Sequence, residues 1–390
     1  MRLKTVSTYA GPFAAGVASI WALARLLRDA PEGHWTTFTG ASARLWAGLP
    51  VYGIAIGDNS WFYSPSAGLF VFRPFYVAGL MFGTKAGLIA YTLFSLAIFA
   101  WGVHELSRRT ISDERLRSGV WLLIAPSLYS SLQAHKLETL ITGILLLATA
   151  EWAGDPPRKR AIFFTVLAGM SAEWKLQTLP SLALALVARW RLERALLVIA
   201  GIVTSLALPF LRLPWGLSWS NLESWVGSLS AFSGTAFSTF DNIYAFMKNV
   251  FGLSMSFRSA QAVALVAAAA LAAVTQVRLR KLPDPRAVLI AAGLGACFTT
   301  LFSPLQQINA YIMLVPAWIA ALASLQWQGS RSTSVSLVLI WLVLTFGYSD
   351  LIPEAVRPAI RHAVVRAPCV LALAIWLLWA QKKIRMPARR

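Results

Sequence analysis

A dozen apolar runs separated by short, charged connectors constrain this chain more than any other feature. They lie near residues 8–27, 86–104, 118–133, 137–151, 161–175, 177–189, 195–212, 259–277, 287–303, 308–326, 334–348 and 367–381. Many are about 17–25 residues long, enough to cross a hydrocarbon layer roughly 30 Å thick. The chain is 57% hydrophobic and 13% charged, against about 25% charged in a soluble domain. One water-soluble core cannot hide so much apolar surface. The runs do not alternate in polarity as the strands of a membrane barrel would. The predicted fold class is therefore all-α: a polytopic transmembrane helical protein of about 12 spans, with residues 1–390 forming a single integral membrane domain.

Cys297 and Cys369 fall inside apolar runs and offer neither a disulfide framework nor metal-ligand spacing. They read as packing residues, and no metal is expected. Arg2 and Lys4 precede the first run, and Ala22-Leu23-Ala24 has the look of a cleavage site. The charge pattern below needs this run as an uncleaved first helix.

The net charge of +19 does not point to nucleic acid, because the basic residues sit in short loops between apolar runs. They sort by side if residues 65–84, a further apolar run, form a re-entrant or interfacial segment and do not cross. One side then receives 22 of the 35 basic residues, including Arg108, Arg109, Arg158, Arg160, Arg189, Arg280 and the C-terminal tail. The positive-inside rule makes that side cytoplasmic, with both termini there. The other side holds long loops at 28–85 and 213–258, and nine of the sixteen acids. The plain connectors lie inside, whereas acids, amides and aromatics gather outside. The expected location is a bacterial inner (plasma) membrane, with an extracytoplasmic active site.

Several short motifs in order carry a resemblance. Leu45-Trp-Ala-Gly-Leu-Pro-Val-Tyr52 is followed by Phe62-Tyr-Ser-Pro65. Then come Ser131-Leu-Gln-Ala-His-Lys136, Ala172-Glu-Trp-Lys-Leu-Gln-Thr-Leu-Pro180 and Ser303-Pro-Leu-Gln-Gln-Ile-Asn-Ala-Tyr311. This succession resembles glycosyltransferase family 87, polyprenol-phosphate-sugar-dependent enzymes of the GT-C class, many of them mannosyltransferases. The resemblance implies a GT-C-like fold with a long extracytoplasmic first loop. It also implies transfer of a sugar, mannose being one candidate, from a polyprenyl phosphate to a lipid or glycan acceptor. The lipid-linked donor is a co-substrate, and no cofactor is implied. Two positions depart from the family pattern. His34 stands where the family usually has an acid, and Asn309 stands where it has a late histidine.

Such a transfer needs a proton acceptor for the attacking hydroxyl and fixed donors or cations for the departing phosphate. The first loop supplies Asp58, Glu32 and His34 as candidate catalytic groups; Asp58 also fits ordinary turn chemistry. Lys136 and Lys175, in turns between short apolar runs, are the candidate phosphate-binding cations, because a charge at membrane depth is costly and commonly functional. Glu138 and Glu173 are their alternative ion-pair partners. Arg73 is a third cation, or an interfacial anchor. Tyr63, Trp61 and Trp35 flank the acids as candidate sugar-stacking rings. Gln133, Gln177, Gln307 and Asn309 are candidate hydroxyl-orienting amides, and Trp215, Trp219 and Trp225 suggest an amphipathic surface segment. Expected partners are membrane lipids, the donor and the acceptor, with no nucleic acid. Two rival readings share these features: a transporter or flippase of lipid-linked or polar substrates, and a non-catalytic glycolipid-binding envelope protein.

Overall fold

The structure, a computed structural model, describes residues 2–28, 34–56, 59–154, 157–236, 241–303, 308–328, 332–346, 355–356 and 364–380. Helices account for almost all of it. The long ones are α1 (Arg2–Arg28), α4 (Thr84–Thr110), α5 (Glu114–Gln133), α9 (Leu192–Arg212), α10 (Trp215–Ala236), α12 (Phe257–Leu279) and α13 (Asp284–Phe302). Shorter helices are α2 (His34–Trp46), α3 (Arg73–Phe82), α6 (Glu138–Trp152), α7 (Arg158–Trp174), α8 (Leu179–Ala188), α11 (Ile243–Phe251), α14 (Val315–Gln328), α15 (Ser332–Phe346) and α16 (Arg366–Ala380). Among the described residues six helical stretches are long and apolar enough to cross a membrane. The remaining apolar runs fall on α5, which is long enough but not among the six, and on shorter helices.

Burial orders these helices from centre to rim. Every residue of α6 is buried, as expected of a helix that is apolar on all faces and surrounded by others. α13 and α14 join it at the centre, with 78% and 83% of their membrane windows buried, whereas α12 has only 11% and faces outward. α1 packs on α5, α4 on α6, α7 on α9, and α13 on both α8 and α14. Without a hydrophobic drive between helices in lipid, such pairs close on small residues that let backbones approach. α7 and α9 close on a glycine from each side: a Cβ added at Gly169 would sit 2.2 Å from the Val198 carbonyl oxygen, and one at Gly201 would sit 2.1 Å from that of Val166.

The 65–84 run breaks into a π-helical turn, Ala67–Val71, and the ten-residue α3. Ten residues rise about 15 Å, half the hydrocarbon thickness. Gly83, at φ 95°, ends α3 and turns the chain into α4; a side chain there would meet the left-handed region's steric cost. Leu80, Met81 and Phe82 stand exposed on α3.

The first loop is a folded unit rather than a loose connector. β1 (Ala55–Ile56) and β2 (Asn59–Ser60) pair antiparallel, a small strand element not foreseen in the sequence. The Thr37 hydroxyl donates to the Ile56 carbonyl. Tyr52 Oη donates to the Tyr63 carbonyl at 2.8 Å and accepts from Trp61 Nε1 at 3.2 Å. The two aromatic motifs of this loop are thus physically one device: Tyr52 holds the Phe-Tyr-Ser-Pro segment in place. Phe38, Trp61, Tyr63, Phe72 and Tyr91 form a continuous ring cluster, with Phe38 and Phe72 stacked 4.6 Å apart. Such ring pairs add stabilisation beyond their buried area.

Candidate active site

The site is built on two breaks in the helical pattern. Between α5 and α6 the chain turns through His135, a non-glycine residue at φ 52°. Holding a side chain in the left-handed region costs of order 1–2 kcal/mol, so surrounding contacts must impose it. One such contact is visible: Tyr91 Oη, from α4, donates to the Lys136 carbonyl at 2.9 Å. The turn carries Lys136 inward, where it is only 8% exposed. Its last residue hands over to Glu138, whose carboxylate sits at the start of α6, where the helix dipole favours negative charge.

The second break ends α7. Lys175 is extended, a short 3-10 turn follows at Leu176–Thr178, and Pro180 opens α8. Lys175 Nζ therefore leaves the helix sideways and donates to Glu138 Oε1 at 2.6 Å. It also lies 5.3 Å from the centre of the Tyr63 ring, a cation–π contact. Two turns remote in sequence thus meet beneath the first loop.

His34 begins α2 and stacks on Phe38. Burial lowers its pKa to about 4, reinforced by the charge of Lys136 and, less strongly, by His135 and Lys175; Glu138 opposes them. His34 therefore shares an electrostatic neighbourhood with both lysines. Burial likewise lowers Lys136 to about 8, with Glu138 supporting the charged form and Lys175 opposing it.

Glu173, the other expected lysine partner, is engaged elsewhere. Its Oε2 accepts from three hydroxyls: Ser64 at 3.0 Å, Ser66 at 2.6 Å and Ser205 at 2.6 Å. Sequence reasoning missed this cluster.

The other predicted site residues separate into groups. Trp35 and Trp61 are 0% and 1% exposed. Their rings brace the first loop from inside and present no face for a sugar, so the stacking role expected of them is corrected to a packing one. Tyr63 is also buried, and its ring faces Lys175. Arg73 stacks on Trp46 at 4.5 Å and Tyr76 at 5.1 Å, the geometry of the anchor reading rather than of the lysine cluster. Gln133 donates to Tyr129 Oη. Gln177 donates to Ser303 Oγ, and its carbonyl accepts from Thr299, so it ties the α7–α8 turn to the end of α13. Asp58, Glu32 and Gln307, and the side chain of Asn309, lie outside the described residues. Among the described residues no three His, Cys, Asp or Glu side chains gather as metal ligands.

Of the three tryptophans of the 213–258 segment, Trp215 and Trp219 point outward from α10. Trp225 turns in, and its Nε1 donates to the Phe62 carbonyl at 3.2 Å. α10 is thereby fastened to the first loop.

Helices of membrane length, a folded first loop and a buried cluster of two lysines and a carboxylate against that loop define an integral membrane protein with a charged centre inside its helices. The model of glycosyltransferase family 87 matches residues 61–304, more than half of the chain, and the protein belongs to that family. It is a membrane glycosyltransferase. The matched stretch contains Tyr63, Lys136, Glu138, Glu173 and Lys175; His34, Glu32 and Asp58 precede it. Among solved structures, the crystal structure of ArnT from Cupriavidus metallidurans in the apo state is similar over 90% of this chain and 72% of that chain, at 15% identity and a TM-score of 0.41. Comparison with curated proteins gives no match.

Proposed function

We propose that the protein moves a sugar from a polyprenyl-phosphate donor to the hydroxyl of a lipid or glycan acceptor, at the extracytoplasmic face of a bacterial inner membrane. Mannose is the first sugar to try, following the family resemblance. The observation that carries this reading is the meeting of Lys136 and Lys175 around one carboxylate, Glu138, under the first loop. Two lysines held near one acid leave an excess of positive field where a phosphate bridge can seat. In the reaction the acceptor oxygen attacks the anomeric carbon, the bond from that carbon to the phosphate oxygen breaks, and the phosphate departs with the electron pair. Lys136 and Lys175 stabilise the charge that develops on it.

The acceptor proton needs a base within hydrogen-bond reach. His34 is the described candidate. With a pKa of about 4 it is neutral at pH 7 and has roughly the basicity of an ordinary glutamate, about 4.3. It can therefore replace the acid usual at this position without adding a negative charge beside the lysines. Asp58 and Glu32 are the alternative bases from the same loop. Sidedness is supported by the charge asymmetry of the loops.

The test is transfer itself. Purified protein in lipid is incubated with radiolabelled polyprenyl-phosphate mannose and a membrane extract. Label is expected in a new lipid or glycan, lost with Lys175→Ala and with Lys136→Ala. No transfer from this or other polyprenyl-phosphate sugars, with the protein folded, would sink the donor assignment.

A further inference from the structure

Beside the lysine cluster lies a second polar centre that the transfer reading does not use. Glu173 is 2% exposed, and all three hydroxyls around it converge on Oε2; Oε1 is buried with no hydrogen-bond partner. An ionisable oxygen buried without a partner costs several kcal/mol in protein interiors. That oxygen can accept a hydrogen bond from a ligand hydroxyl. Glu173 also lines a cavity of about 410 Å³ between the end of α7, α9 and α10, within the roughly 300–1,000 Å³ typical of small-molecule sites. Leu176, Ile202, Leu206, Val226 and Leu229 make its walls apolar, and Glu173 is the one charged residue among those that line it.

We infer that this cavity is the acceptor site, and that it takes a lipid with a free hydroxyl: the chain lies between α9 and α10, and the hydroxyl donates to Glu173. The inference rests on the transfer reading for the word acceptor, but the binding site stands without it. The chemistry separates the two lipids that reaction requires. The donor's isoprenoid tail has no hydrogen to donate, a carboxylate repels its phosphate, and its sugar hydroxyls are bound to that phosphate, so they go where the lysines hold it. An alcohol head group supplies the missing donor, and its hydrocarbon suits the walls. The chain geometry also fits. Tyr63 faces Lys175, while the next residue, Ser64, faces Glu173. Glu173 and Lys175 are two residues apart at the end of one helix. One strand of the first loop thus runs between an anion-binding centre and a hydroxyl-binding centre, the separation a two-lipid transfer needs.

The experiment uses the full chain in lipid nanodiscs with no sugar donor present. A dioleoylglycerol carrying a diazirine in one acyl chain is photolysed, and labelled peptides are mapped. Label is expected on the peptides holding Leu206 and Leu229. Unlabelled dioleoylglycerol should compete, and its methyl ether should compete about tenfold less well or worse, because a hydrogen bond to a charged group is lost. Leu206→Trp and Leu229→Trp, which fill the cavity, should each abolish that label while Glu173→Gln narrows the difference between alcohol and ether. Equal competition by the methyl ether, stronger competition by polyprenyl phosphate, or label that survives both tryptophan variants would each overturn the proposal. Specific labelling in a protein that transfers no sugar would refute the transfer reading alone. Transfer that persists in a variant without labelling would refute the acceptor site alone.

Discussion

Helix α6 carries a buried carboxylate at each end, and the two ends are furnished differently. Glu138 and Glu151 are both about 1% exposed and lie roughly 20 Å apart along the axis. At the Glu151 end the partners are arginines. Arg109 and Arg160 reach Glu151 at 3.1 and 2.8 Å, and the same two reach Glu105 at 3.2 and 3.3 Å, with Arg108 at 3.5 Å. Planar guanidinium forks bridge α4, α6 and α7 there. At the Glu138 end the cations are lysines on turns, one of them with its pKa lowered by burial. Arginine gives fixed, always-charged geometry; lysine gives a compact point charge that is easily perturbed. The difference teaches that a buried ion pair can be a fastening or a receptor, and that the kind of cation and its attachment distinguish the two.

This contrast can be broken by measurement. The largest expected effect is on transfer: Lys175→Ala should lower the single-turnover rate by about 10²–10³-fold, as when one donor to a developing oxyanion is removed. Arg109→Ala, at the opposite end, should leave the rate per folded molecule unchanged. Equal losses would erase the distinction. The next effect is on stability. Glu138→Gln and Glu151→Gln each leave buried cations without their carboxylate, and each should cost about 3–5 kcal/mol in detergent unfolding. Added inorganic phosphate should restore part of that loss for Glu138→Gln by binding the folded state, and none of it for Glu151→Gln.

A smaller effect is on pH dependence. Burial and neighbouring cations hold His34 down to about 4, so as pH falls through that value the imidazole gains a proton and can no longer accept one. Lys136, lowered to about 8, loses its charge as pH rises through that value and with it part of its hold on a phosphate. Transfer at low donor concentration should therefore be flat between these limits. The alkaline limb should disappear in Lys136→Arg, whose charge persists. The smallest expected effect belongs to Trp225→Phe. It removes one hydrogen bond, from Nε1 to the Phe62 carbonyl, and should cost about 0.5–1.5 kcal/mol, read as faster proteolysis at the ends of α10.

The sequence announced the lysine end of α6 more clearly than the arginine end, for a physical reason. Lys136 and Lys175 interrupt apolar runs, and a charge in such a place stands out by its cost. The arginines lie in ordinary basic loops, and only the fold shows that three of them close on Glu105 and Glu151. The Glu173 cluster was illegible because its members come from three segments, with Ser64 109 residues and Ser205 32 residues from the acid they share. Trp35 and Trp61 misled in the opposite way. An aromatic ring in a loop between membrane segments suits a sugar, an interface or a core equally well, and here it packs the core. The helical class was readable because length and hydropathy limit it directly.

The backbone contact between α7 and α9 leaves no slack: at Gly169 and Gly201 even a methyl group would collide with the opposite main chain. Those two helices therefore form a fixed plank. The wall that α7 and α9 give the Glu173 cavity is therefore set before anything binds, and α10, tied to the first loop by the Trp225 indole, supplies the facing one. Two glycines thus set the shape of one side of the chamber.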